Sequence, residues 1–220
     1  MIIPTWNRAR QLERSLDRLA TLTVPDEVIV VDDGGTDDTR IVCERSPLPI
    51  RYIRNERRAE GTCSLPKNIG LRAASHDHII TADPEIYFVS DVVAQLVAAR
   101  IICPNTVNHD VQCIMQREDG SFDLAVGLYV NSFERAWLMH VNGWDESLPE
   151  PWGWEDIDLY DRLAYMGVPQ RGIDNIAIVH QWHESRGRST PLNEAIIRER
   201  QTATVKEIRA NIDHDWGKIL

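Results

Sequence analysis

The run Val28-Ile29-Val30-Val31 leaves this chain few ways to fold. Four consecutive β-branched residues show no polar/apolar alternation, so a strand made of them hides both of its faces. Such strands belong to parallel sheets with helices on each side. The run stops at Asp32-Asp33-Gly34-Gly35, a turn with an acidic lip, and the chain around it keeps the same rhythm. Ile2-Ile3 is a short apolar run closed by Pro4, and Leu12, Leu16 and Leu19 recur at near-helical spacing through residues 8–20. Thr36 or Asp37 caps a helix to about Glu44. Ile50 to Ile53 reads as a third strand, residues 64–74 as a helix and Asp77 to Thr81 as a fourth strand. Alternation with short connections predicts βαβ units, and hence an α/β fold with a mixed, mainly parallel sheet flanked by helices.

Past residue 90 the pattern loosens. Residues 90–101 read as a helix, Val111 to Met115 as a strand, Asp119-Gly120 as a hairpin turn and Leu124 to Val130 as the returning strand. Residues 132–140 read as helical, and Trp152-Gly153-Trp154-Glu155-Asp156 opens a helix to about Met166 that Gly167 ends. Ile176 to Val179 is a last short strand, and residues 191–211 predict one long amphipathic helix. The expectation is a single domain over residues 1–220, with a nucleotide-binding half (1–100), an acceptor-shaping half (101–190) and a C-terminal helical segment (191–220).

Composition narrows the chemistry. The net charge of −10 leaves no positive footprint for general nucleic-acid binding, although Arg51, Arg54, Arg57 and Arg58 form a local basic cluster. No apolar stretch nears the ~20 residues that cross a bilayer. Met1 to Asn7 lacks the basic and apolar regions of a signal peptide. Cys43, Cys63, Cys103 and Cys113 show neither CxxC pairing nor zinc spacing, which suits free thiols and a cytoplasmic protein, or the cytoplasmic part of an assembly. No G-x-G-x-x-G follows the first strand and no Walker A lysine motif occurs, so dinucleotide and P-loop chemistry are disfavoured.

Open parallel sheets bind ligands beyond the carboxyl ends of their strands. Three polar clusters occupy that position: Thr5 to Arg8, Asp32-Asp33, and Asp83 to Glu85. Asp83 and Glu85, one residue apart in a loop, suit a shared divalent cation such as Mg²⁺ or Mn²⁺, or else an ordinary surface turn. Either His180 or His183 completes such a shell, unless both are simply solvated at a strand end. Asp32 and Asp33 suit a base edge or a ribose, while Thr5, Asn7 and Arg8 sit where a helix N-terminus favours an anion. Lys67-Asn68 suits a diphosphate or a sugar hydroxyl, or is a polar helix start. Glu155, Asp156, Asp158 and Asp161 crowd one helix. Dipole capping and a solvated acidic face account for Asp158 and Asp161, and the same dipole would keep Asp156 ionised as a general base requires. Trp152 and Trp154 beside Glu155 and Asp156 suit a stacked sugar whose hydroxyl gives up a proton.

These motifs, in this order, resemble the family 2-type inverting glycosyltransferases of the GT-A fold. Residues 28–34 followed by Thr36-Asp37-Asp38-Thr39 are highly typical of them. Residues 2–8 and 152–156 are also similar to the β-1,4-galactosyltransferase and chondroitin-polymerase groups. The resemblance spans residues 1 to about 185. It implies that Pro4, Thr5, Asn7 and Arg8 line the nucleotide site and that Asp32 and Asp33 contact uracil or ribose. It further implies that Lys67 and Asn68 approach the diphosphate or donor sugar, and that Asp83 and Glu85 are the DxD metal element. His183 best matches the third metal ligand, with His180 the other candidate. Gly143-Trp144-Asp145-Glu146 resembles the acceptor-side loop, Glu155 would bind the acceptor and Asp156 would be the base. Glu85 in place of the usual second aspartate, with Pro84 between the ligands, is the clear departure.

The implied activity is metal-dependent transfer, with inversion, from a nucleotide sugar (UDP-linked by family weight) to a hydroxyl of a glycan, a lipid-linked saccharide or another acceptor. Arg186 and Arg188 would close a basic loop over the diphosphate. Two rivals remain. A nucleotidyltransferase would present a glycine-rich basic loop where this chain has Pro4-Thr5-Trp6-Asn7-Arg8. A non-catalytic sugar- or nucleotide-binding module would retain binding without turnover.

Overall fold

The computed structural model describes residues 1–56, 62–103, 106–110, 113–125, 128–184 and 190–219. Arg57, Arg58, Val111 and the basic loop with Arg186 and Arg188 lie outside the described residues. The first half alternates as the apolar runs predict. Its elements are β1 (Ile2–Thr5), α1 (Ala9–Leu19), β2 (Val28–Asp33), α2 (Thr39–Arg45), β3 (Ile50–Asn55), α3 (Ser64–Ala73) and β4 (His78–Ala82). There follow β5 (Ile86–Phe88), α4 (Val92–Ile102), β6 (Val107–Asp110), β7 (Cys113–Gln116), β8 (Phe122–Ala125), β9 (Val130–Glu134) and α5 (Arg135–His140). The chain ends with α6 (Glu155–Tyr165), β10 (Gln170–Ile173), β11 (Ile178–His180) and α7 (Pro191–Thr202).

Every residue of β2 is buried, and its alternate side chains feed opposite layers. Val28 and Val30 pack with Leu12, Leu16 and Leu19 of α1, whereas Ile29 and Val31 pack with Leu65, Ile69 and Leu71 of α3. Each such side chain withdrawn from water contributes roughly 1.5–3 kcal/mol, which is why this strand anchors the sheet. It lies between β1 and β3, parallel to both.

Two sheets form rather than one. Seven strands run β10-β6-β9-β4-β1-β2-β3, and four run β5-β11-β7-β8. β9 is antiparallel to both β4 and β6, which makes the larger sheet mixed. The second half departs from expectation in detail. The return from the Asp119-Gly120 turn stops at Ala125, and the strand resumes as β9 in the other sheet, through residues read as helical. β5, β6 and β10 are three- or four-residue strands whose apolar signal is too short to stand out. The predicted helix over 191–211 ends at Thr202. Lys206 folds back to donate to the carbonyls of Arg200 and Gln201, and the β-branched Thr202, Thr204 and Val205 favour leaving the helix. Residues 203–219 then run as an irregular strap. No described helix is long and apolar enough to cross a membrane, and all four cysteines are free.

Candidate active site

Register in the smaller sheet builds one cluster. The chain leaves β4 through a turn in which Ile86 N donates to Asp83 O at 3.2 Å, with Pro84 at its second position, where its fixed φ suits the bend. β5 then pairs antiparallel with β11, His180 opposite Ile86. That register places Glu85 beside the end of β11, and Gln181 N donates to Glu85 O at 3.0 Å. His183 Nε2 lies 3.1 Å and His180 Nε2 3.4 Å from Glu85 Oε1. One donor atom from each of Glu85, His180 and His183 falls within 4.8 Å of the others. Both histidines therefore reach the carboxylate, where the sequence alone leaves a choice between them.

The residues fit a divalent cation. One carboxylate with two imidazoles suits a transition ion such as Mn²⁺ better than Mg²⁺, which prefers an all-oxygen shell. An imidazole that gives Nε2 to a metal keeps its proton on Nδ1 and needs an acceptor there. His183 Nδ1 has one in Glu184 O at 3.0 Å. The same nitrogen also lies 2.9 Å from Arg8 Nη2, a contact that requires an unprotonated Nδ1. Asp83 stands outside the three-residue set, yet burial first and Glu85 second push its carboxyl up to about 8. Lys67, Asp156 and His180 also act on it, so Asp83 is electrostatically joined to the second cluster.

That cluster assembles from α3 and α6. Lys67 is 4% exposed, and its Nζ donates to Glu155 Oε1 at 3.0 Å and to both Asp156 oxygens at 2.9 Å. Burial alone would lower the ammonium, but Asp156 and Glu155 outweigh it and hold Lys67 well above its usual value. Burial lifts Asp156 above the usual carboxylate range, while Lys67 pulls it down and Glu155 pushes it up. The helix dipole favours the ionised form, and desolvation, the largest effect on the group, works against it. Glu155 is likewise raised by burial, but Lys67 more than compensates, leaving its carboxyl below the usual range. A third donor, Trp144 Nε1, reaches Asp156 Oδ1 at 2.7 Å.

Several expected site residues are engaged within the protein. Lys67, expected near the diphosphate or donor sugar, donates to two carboxylates. Asn68, 0% exposed, pairs with the Trp144 main chain, giving Nδ2 to its O and accepting its N–H, both at 2.8 Å. Trp144 is itself fully buried, so its ring offers no face to an acceptor. Asp145 is buried too, bound to Ser147 and Arg200. Asp158, expected on a solvated face, is 3% exposed and accepts from Arg162 Nε at 2.7 Å and Arg200 Nη1 at 2.8 Å. Arg200 of α7 reaches both Asp145 and Asp158, which ties this side of α6 to α7.

Trp152 is 40% exposed at the rim, and Trp154 adopts φ +70 just before α6. Arg198 of α7 stacks on the Trp154 ring at 5.1 Å, and Asn193 Nδ2 ties down the Gly153 carbonyl at 2.9 Å. On the other flank, Pro4 and Thr5 end β1 beside the end of β2. The Thr5 hydroxyl is buried, with no hydrogen-bond partner among the described residues. Asn7 Oδ1 accepts Thr36 N at 2.7 Å, fixing the β1–α1 corner to the glycine turn. Asp32 accepts from Gly35 N, Tyr52 and Arg54, and Asp33 from Asn55. Both aspartates are 2% exposed and hold protein partners at the end of β2. Sequence reasoning missed Tyr52 and Asn211, which carry no motif. Asn193, Arg198 and Arg200 show only helical spacing, and their site contacts need the folded chain.

Residues 1–107 match the family model described as glycosyl transferase family 2, and residues 121–184 match one described as N-terminal domain of galactosyltransferase. The chain is 23% identical over 275 residues to a chondroitin synthase of Pasteurella multocida, covering 100% of this chain and 28% of the relative. It is 24% identical over 236 residues to the chondroitin synthase of Escherichia coli, covering 82% of this chain and 34% of that one. The chain thus spans about a third or less of these relatives. Among solved structures, Staphylococcus aureus TarS 1–349 in complex with UDP-GlcNAc superposes with a TM-score of 0.71 at 20% identity, over 94% of this chain and 67% of that one. GalNAc-T7 with UDP, GalNAc and Mn²⁺ gives 0.71 at 17% identity, over 90% and 47% of the two chains. A mixed sheet flanked by helices, matched by these structures, gives the chain a GT-A-type glycosyltransferase fold, and its two successive segments match the family 2 glycosyl transferase and galactosyltransferase models.

Proposed function

We propose that the protein is a metal-dependent inverting glycosyltransferase that moves a sugar from a nucleotide donor, first of all a UDP-sugar, to a hydroxyl of a glycan, lipid-linked or other acceptor. One observation carries this reading: a cation-fitting set (Glu85, His180, His183) closes within 4.8 Å, and the same fold gathers Lys67, Glu155 and Asp156 into one buried cluster. The structurally similar TarS bound to UDP-GlcNAc and GalNAc-T7 bound to UDP, GalNAc and Mn²⁺ support it. Pro4, Thr5, Asn7, Asp32 and Asp33 would frame the nucleoside. A bound cation would neutralise charge developing on the leaving diphosphate. Arg8, released from His183 Nδ1 when that nitrogen carries its proton, is then available to the same phosphates.

Trp152 and Trp154 would hold the acceptor, with Glu155 fixing a hydroxyl. Asp156 would take the proton as the acceptor oxygen attacks from the face opposite the departing diphosphate, a single displacement that inverts the centre. Lys67 keeps the two adjacent carboxylates together in a buried place where they would otherwise repel. The test is a panel of nucleotide sugars assayed for Mn²⁺-dependent donor hydrolysis and transfer. Asp156→Asn is expected to lower transfer roughly 10²–10⁴-fold while nucleotide binding measured by calorimetry persists. Unchanged turnover in that variant overturns Asp156 as base, and binding without any turnover in the parent favours a non-catalytic module.

A further inference from the structure

We propose that Trp144 is the positioning residue of the base: its indole N–H holds the Asp156 carboxylate by Oδ1 and leaves Oδ2 as the atom that receives the acceptor proton. This rests on Asp156 being the base, as above. An indole carries one donor and no acceptor, and a buried tryptophan needs a partner for it. Here the partner is Oδ1 at 2.7 Å, a short, charge-assisted contact.

The donor is a fixed point because both ends of Trp144 are pinned. Its main chain pairs with Asn68 in both directions at 2.8 Å, and its carbonyl also accepts from Asn211 Nδ2 at 2.8 Å. Its ring meets Phe133 edge to face, with centroids 6.0 Å apart and an interplanar angle of 88°. The preceding Gly143 has φ +67, and a Cβ there would come within 2.1 Å of Asn68 Oδ1. The turn therefore holds one conformation.

Lys67 cannot supply this choice between oxygens, since its Nζ is 2.9 Å from each. Trp144 breaks the tie. Among the described residues Oδ1 takes two donors and Oδ2 one, so Oδ2 keeps the freer lone pair. Glu155 lacks an equivalent among the described residues: Oε1 accepts from Lys67, and the buried Oε2 has no hydrogen-bond partner.

The experiment compares Trp144→Phe, which keeps an aromatic ring against Phe133 and a face toward Lys67, with the parent and with Asp156→Asn. The expected loss is roughly 10-fold or more in kcat, with KM for donor and acceptor unchanged, the mark of an interaction used only in the transition state. In the Asp156→Asn background the same change is expected to cost nothing further, because Trp144 acts through Asp156. A readout free of turnover is the Trp144 indole proton in NMR, expected downfield of the other indoles and moving upfield in Asp156→Asn. An unchanged kcat, a full loss retained in the Asn background, or an indole signal indifferent to Asp156→Asn each overturns the proposal. If Trp144→Phe fails to fold, the indole signal in Asp156→Asn decides. Absence of transfer by the parent itself counts against the enzyme reading instead, and leaves the indole test standing.

Discussion

His78, the first residue of β4, shows how one side chain sets a pH limit. Burial first, and Arg100 second, hold its imidazole down to about 4, against an ordinary value of 6.5. Between those values the unfolded chain binds the proton more readily than the folded one. Its contribution is therefore complete above pH 6.5 and is lost as pH falls toward 4. Thermal melting followed across that interval is expected to drop less steeply in His78→Gln than in the parent; parallel curves would refute the assignment. At the same scale, the chemistry of Asp156 is readable as a residue type beside tryptophans, but its environment is not. A helix-start carboxylate invites a dipole argument, whereas Lys67, 89 residues away in sequence, and desolvation decide its state.

Among the elements, α6 is the pivot of the second half. Its N-terminal turn carries the proposed base, and its buried side is locked by Asp158 to Arg162 and to Arg200 of α7. Removing one partner of a buried pair costs roughly 3–5 kcal/mol, because the other charge is stranded. Asp158→Ala strands Arg162, which is 4% exposed, and is expected to lower the melting temperature by on the order of 10 °C. Arg200→Met should cost less, since Asp158 keeps Arg162 and Asp145 keeps the Ser147 N–H and hydroxyl as donors. Equal losses in the two variants would contradict this account. The α6 helix itself is legible from its spacing and its glycine stop. The buried face is not, because alternation of charged and apolar residues in α7 does not say which neighbour it covers.

Across the whole molecule, the candidate cation site is a product of two sheets meeting. Glu85 follows a strand of one sheet, and His180 closes a strand of the other. A ligand that binds only the folded chain stabilises it by about 2.7 kcal/mol at a hundredfold excess over Kd. Mn²⁺ is therefore expected to raise the melting temperature by roughly 5–10 °C, with the gain reversed by a chelator. In a Glu85→Ala, His183→Ala double variant the gain should vanish while melting without metal stays close to the parent's. A full Mn²⁺ shift in that variant would place the ion elsewhere.

The amino-acid pattern suffices for the parallel core, because a β-branched run buried on both faces must send its alternate residues into two helical layers. It suffices as well for the positions of the polar clusters, since strand ends follow from where apolar runs stop. How those clusters are used is settled only on folding. Asn68 becomes a clamp on Trp144, Lys67 a bridge between two carboxylates, and both histidines neighbours of Glu85. Each of these depends on contacts between segments far apart in the chain. Local periodicity records which side of an element is buried, and hydrogen bonds and ion pairs between distant elements then assign each polar group its partner.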